Sequence, residues 1–197
     1  MHFTQSLIIF DVETTDPKIG LGGVWPEIIE IGAVKVSPEG LVVDQFQRFV
    51  RPLNLEGVTD DVLRITGISL ESVTSAKPWK EQWRDFAEFT SFNDITLAAW
   101  GADYDIPCLK LAYSRAYIGY PHNVRAFDLM TFVRTYGMMT GRRFTKFSVQ
   151  SIAQYFGITT VQTHRALDDA QLEAAIVAKI LGEESGPNVK SVEAVWF

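Results

Sequence analysis

Apolar and polar positions along the chain change period in a readable order. Residues 6–13 read SLIIFDVE, residues 27–36 read EIIEIGAVKV, and residues 41–50 read LVVDQFQRFV with alternation in their second half. These β-rich runs predict three strands. Pro38, Glu39 and Gly40 predict a turn between the second and third, and so an antiparallel pair. A glycine-rich loop over 20–26, carrying Trp25, separates the first two.

Past Pro52 the period changes to that of helices. Thr59 with Asp60 and Asp61 predicts a capped short helix ending at Thr66 and Gly67. Residues 78–92 place Trp79, Trp83, Phe86 and Phe89 at helical spacing behind Pro78. Residues 95–100 (ITLAAW) read as a strand and 105–118 as a helix ending at Gly119. A short strand is predicted over 124–127, followed by a helix from the cap Asp128 to Gly137. Two more helices are predicted over 148–156 and 166–181. The order is that of an α/β protein: a mixed five-stranded sheet with an antiparallel edge hairpin, flanked by helices. One domain over 1–182 and a tail over 183–197, ending in AVWF, complete the expected organisation.

Composition narrows the function classes. Of 197 residues 47% are apolar, and 5 Trp, 6 Tyr and 13 Phe call for a packed core, which excludes a disordered chain. A lone cysteine, Cys108, excludes an internal disulfide framework and a cysteine-based zinc site, and reads as a small core residue. No apolar run approaches the roughly 20 residues that span a bilayer. The run over 7–10 is too short for a signal peptide, so the expectation is a cytoplasmic protein that makes no membrane contact. The net charge of −6 disfavours non-specific attraction to polyanions, but a local basic rim or bound divalent cations can supply attraction to nucleic acid.

Three places carry acids where acids are costly. Asp11 and Glu13 close the first apolar strand, and side chains two apart on a strand share a face. Such a pair is stable when it holds a divalent cation or keeps one proton; alone it reads equally as a solvated strand end. Asp105 lies where a strand gives way to a helix, and a simple N-cap explains it as well. In the last helix, at 100° per residue, Leu172, Ile176 and Ile180 fall at about −60°, −20° and +20° from Asp169, which places that acid on the apolar stripe. Asp168 falls on the flank and Glu173 also points inward. A carboxylate on a buried face needs a partner, and a metal ion is one. His164 stands just before this helix.

Taken in order, FDVETT, WGADYDIPCL and HRALDDA resemble the three motifs of the DEDDh family of 3′–5′ exonucleases, the proofreading-exonuclease and RNase T relatives. Asp11 and Glu13 match the first motif, Tyr104 and Asp105 the second, and His164, Asp169 and Ala170 the third. EIIEIGAVKV is similar to the family's second strand, and Leu63 to Ile68 to its Thr-Gly-Ile loop. Trp100-Gly101 before the second motif is similar to the Eri-type and KapD-like branch, which acts largely on RNA.

The resemblance covers about residues 6–182. It implies a ribonuclease H-like fold and a single-stranded RNA or DNA 3′ end as substrate, with RNA favoured. It implies two Mg²⁺ or Mn²⁺ ions held by Asp11, Glu13, Asp105 and Asp169, His164 as general base, and nucleoside 5′-monophosphate as product. Thr14 and Thr15 beside the acids, and Thr66, Gly67 and Ile68 near the terminal ribose, are candidate substrate contacts. Trp25 and Tyr104 are candidates for base stacking, and Arg142, Arg143 and Lys146 for phosphate binding. Alternatives are a DNA-proofreading subunit and an inert nucleic-acid-binding module of the same fold. Homodimerisation and docking through the tail are further expectations.

Overall fold

The computed structural model describes residues 2–19, 26–90, 95–120, 126–160 and 162–183. Its centre is the first predicted strand, β1 (Ser6–Thr14). Leu7, Ile8, Ile9 and Phe10 are buried on both sides, because β1 lies in the middle of a five-stranded sheet of order β3-β2-β1-β4-β5. β2 (Ile28–Val36) pairs antiparallel with β1, and β3 (Val42–Phe49) antiparallel with β2. On the other side β4 (Ile95–Ala99) runs parallel to β1, and the two-residue β5 (Phe127–Asp128) parallel to β4. The expected mixed sheet with its antiparallel edge hairpin is present.

The two faces of β1 feed two layers. Ile8, Phe10 and Val12 pack with Trp79 and Phe86 of α3 (Trp79–Phe89) and with Leu109 and Tyr113 of α4 (Ala102–Arg115). Leu7 and Ile9 pack against Ala170, Ala174, Val177 and Leu181 of α7 (Ala166–Gly182). Side-chain alternation then puts Asp11 and Glu13 on the α7 face. The remaining helices are α1 (Asp60–Thr66), α2 (Leu70–Ser75), α5 (Leu129–Thr140) and α6 (Val149–Tyr155), with a single 3₁₀ turn at Leu55–Gly57. No helix among the described residues is long and apolar enough to cross a membrane.

Four local expectations shift, each for a physical reason. The second-motif helix begins at Ala102, not 105, because Asp128 accepts from the N–H groups of Gly101 (2.9 Å) and Ala102 (3.3 Å). That cap lies 26–27 positions away in sequence. α5 continues through Gly137 to Thr140, since a Cβ at Gly137 would stand 2.7 Å from the Phe144 ring, so this glycine admits a side chain and does not stop the helix. The helix α2, capped by Ser69, was not anticipated. The strand expected over 124–127 is found as Phe127–Asp128, and its first two positions lie outside the described residues. The same holds for Trp25 with most of its loop, and for the tail from residue 184 on.

Candidate active site

The acids singled out in the sequence converge at the C-terminal end of β1. Asp11 and Glu13 stand two apart on its α7 face. α4 delivers Asp105 from its first turn, 4% exposed, and the backbone N–H of Val12 donates to its carboxylate at 3.2 Å. Asp105 is therefore not the helix cap; Gly101 occupies that position, with φ +79°. Asp169, 2% exposed in the first turn of α7, accepts from Gln162 Nε2 (3.2 Å) and from the Thr163 N–H (3.3 Å). The helical phase read from the sequence holds: Leu172, Ile176 and Ile180 are buried with it, and Asp168 is exposed. Ligand atoms of Glu13, His164 and Asp169 all lie within 4.8 Å of one another.

Burial and mutual repulsion disfavour full ionisation of the cluster. Burial, and then the charges of Asp105, Glu13 and Asp169, push the Asp11 carboxyl well above the usual range. Burial and neighbouring Asp169, Glu30 and Asp105 push Glu13 up to about 8, with Arg165 opposing. Asp105 is pushed up to about 7 by burial, opposed by the Val12 N–H, and Asp169 is also raised by burial. These shifts mean that folding places acids where their charged forms are disfavoured. Clustered carboxylate oxygens are hard donors of the kind that hold divalent cations.

Two residues that shape the site, Gly32 and Glu30, were missed, while Glu173 was read from its helical phase as pointing inward. Gly32 stands opposite Asp11 on β2, and a Cβ there would lie 2.1 Å from the Leu167 backbone nitrogen. Only glycine lets the first turn of α7 sit directly on the strand, which draws Asp169 toward Asp11. A glycine inside a strand was the available signal. Glu30, fully buried and opposite Glu13, holds Arg165 and caps α7. Glu173, one turn below Asp169, is also buried; its carboxyl is pushed well above the usual range by burial and by Asp11, Asp105 and Asp169.

The expected substrate contacts divide. Tyr104, 39% exposed, is hydrogen-bonded to Thr14 (Oγ1 to hydroxyl 2.8 Å) at the mouth of the site. Thr15 is turned inward: its N–H donates to the Glu27 carbonyl and its hydroxyl accepts the Glu27 N–H, so both are committed to the turn between β1 and β2. Thr66 closes α1 by donating to the Val62 carbonyl and accepting the Ile68 N–H, while Ile68 packs on Ile29 of β2. Gly67 between them is exposed, with φ +65°. Arg142 is not brought to the acids. It pairs with Glu183 and lies over the Tyr136 ring at the opposite end of α7, roughly 20 Å from Asp169 by helical rise. Arg143 and Lys146 are exposed on the same loop. Cys108 is buried and burial pushes its thiol up to about 12, in keeping with a core role.

Known proteins share this sequence pattern and this fold. The sequence profile of the exonuclease family RNase T matches residues 8–177. PolC-type DNA polymerase III of Staphylococcus haemolyticus is 30% identical over 174 residues, 88% of this chain and 11% of the polymerase. The Staphylococcus aureus polymerase is 29% identical over the same shares. The chain thus spans about a tenth of the length of these relatives. Among solved structures, the nuclease domain of 3′hExo, described as a DEDDh family member, superposes with a TM-score of 0.74 at 19% identity, covering 90% of this chain and 92% of that one. Escherichia coli exonuclease I in complex with a dT13 oligonucleotide gives 0.72 at 14% identity, over 90% and 41% of the two chains. The profile match over most of its length makes this chain a member of the exonuclease family RNase T, among the relatives that its three motifs resemble.

Proposed function

We propose that the chain is a divalent-metal-dependent 3′–5′ exonuclease that removes nucleoside 5′-monophosphates from single-stranded 3′ ends. The observation that carries this is the convergence of Asp11, Glu13, Asp105 and Asp169 from three separate elements beside His164. The four carboxylates hold the cations. When bound, divalent ions neutralise charge on the phosphodiester and make water nucleophilic near neutral pH. His164, exposed at the rim, accepts the proton of the attacking water. Water oxygen bonds to phosphorus, the P–O3′ bond breaks, and the departing 3′ oxygen regains a proton. Tyr104, fixed by Thr14, offers a stacking surface for a base at the mouth. Thr66 to Ile68 border the same end of the sheet, where the terminal sugar would rest.

RNA is the first reading of the substrate. It rests on the Trp100-Gly101 motif and is supported by the fold shared with 3′hExo, whose nuclease domain was solved bound to rAMP. DNA is the second reading, favoured by the 30% identity to PolC-type DNA polymerase III. The nuclease unit is taken as residues 1–182, acting in the cytoplasm, with 183–197 a tail available for docking or dimerisation. The test is degradation of 5′-labelled single-stranded RNA, single-stranded DNA and a duplex with a 3′ overhang, in competition. A ladder shortening from the 3′ end with 5′-monophosphate release supports the activity, and the faster substrate decides the class. Internal cuts only, or no cutting with Mn²⁺, would refute it.

A further inference from the structure

His164 sits in an uncommon backbone conformation. Its φ is +55°, left-handed, which costs a non-glycine residue about 1–3 kcal/mol unless the surroundings enforce it. The next residue, Arg165, is extended and starts α7, but its side chain makes no cap. What fixes this corner comes from the neighbouring strand. The Glu30 carboxylate is fully buried and accepts four hydrogen bonds. Two come from the Arg165 guanidinium, at 3.1 Å from Nε and 2.9 Å from Nη2. A third comes from Gln47 Nε2 at 2.6 Å and a fourth from the Ala166 N–H at 3.1 Å. The guanidinium also lies 5.4 Å from the centre of the Phe49 ring. Both residues flanking the start of α7 are therefore held by one carboxylate of β2.

This carboxylate is poorly placed for stability alone. Glu30 stands directly opposite Glu13 in the β1–β2 ladder, and like charges across a strand pair are destabilising. A buried ion pair often contributes no more stability than a well-packed apolar pair of the same size. The arrangement has a geometric product instead: it fixes the peptide that follows His164, and with it the direction of the imidazole toward Glu13 and Asp169. Resting on the exonuclease reading above, we propose that Glu30 and Arg165 are positioning residues for His164, acting on turnover only through the imidazole.

The test is a double-mutant cycle in single-turnover cleavage of a 5′-labelled oligonucleotide with Mn²⁺. Glu30→Gln and Arg165→Lys are each made in wild type and in His164→Ala. In wild type each lowers the cleavage rate roughly 10- to 100-fold, the range for residues that orient a catalytic group, with KM and the Mn²⁺-induced rise in melting temperature unchanged. In the His164→Ala background each changes the rate less than about 2-fold, because the group they orient is gone. Equal losses in both backgrounds would overturn the proposal and make the pair a general support of α7. If Glu30→Gln melts far below wild type, Arg165→Lys, at a partly exposed position, carries the cycle with the same two outcomes. Wild-type cleavage by His164→Ala would overturn the catalytic reading itself. An inactive His164→Ala with an additive cycle removes only the positioning role.

Discussion

The backbone N–H of Val12, between the two acids of β1, donates to the carboxylate of Asp105, which lies 93 positions later on α4. One hydrogen bond thus ties the second acidic motif to the first and sets the depth at which Asp105 enters the cluster. Asparagine at 105 keeps an oxygen to accept that N–H and removes the charge. At pH 8 without metal, Asp105→Asn should melt a few degrees above wild type. It should also lose most of the melting-temperature rise that Mn²⁺ produces in wild type. Thermal melting with EDTA and with Mn²⁺ reads both.

The raised acids set how metal-free stability depends on pH. Glu13 is pushed up to about 8 and Asp105 up to about 7 in the folded protein, while unfolded carboxyls titrate near 4. Below pH 4 these two carboxyls are protonated in both states and cost the folded protein nothing. Between about pH 4 and 8 the unfolded chain ionises first, so stability falls as pH rises and levels off above about 8. Melting temperatures of the EDTA-treated protein should decline from pH 5 to pH 8, and saturating Mg²⁺ or Mn²⁺ should flatten that decline.

Gly32 admits the α7 backbone. Gly32→Ala places a methyl group 2.1 Å from the Leu167 nitrogen, on a strand and a helix that are both fixed by other packing. A loss of about 3 kcal/mol in denaturant unfolding is expected, at the upper end for overpacking. Cleavage activity should fall with it, because Asp169 rides on the displaced turn.

Asp128 serves two helices. It accepts from Gly101 and Ala102 at the start of α4, and from the N–H and hydroxyl of Thr131 in α5. Burial pushes its carboxyl up, but these hydrogen bonds outweigh it and hold it below the usual range. Its contribution to stability is therefore present above about pH 4 and is lost as pH falls through the folded value. Asp128→Ala should cost about 1–2 kcal/mol at pH 7, measured by urea unfolding, and should lower activity through Asp105.

Much of the architecture was legible because it is written locally. Apolar runs located β1 and β2, and Thr59, Ser148 and the phase of Leu172, Ile176 and Ile180 located α1, α6 and α7. Asp169 was readable for the same reason: helical phase is a local property. Most of what escaped depends on residues outside the element concerned. The start of α4 is set by Asp128, the glycine in α5 by the Phe144 ring, and the fate of Arg142 by Glu183. Glu30 was read only as part of the strand EIIEIGAVKV, because nothing nearby announces that Arg165, 135 positions on, will reach it. The motif residues were recognised as a set by their resemblance to a family, since each alone had an ordinary structural explanation.

The central claim is that these acids and His164 form one metal-dependent cleavage centre. Single-turnover cleavage of a 5′-labelled oligonucleotide, with Mn²⁺ varied, in wild type, Asp11→Asn and His164→Ala, tests it most directly. The account predicts stepwise 3′ shortening by wild type that EDTA abolishes, no cleavage by Asp11→Asn, and a rate about 10²- to 10⁴-fold lower for His164→Ala with its Mn²⁺-dependent melting shift retained. Cleavage by either variant at the wild-type rate, or cleavage indifferent to EDTA, would contradict it.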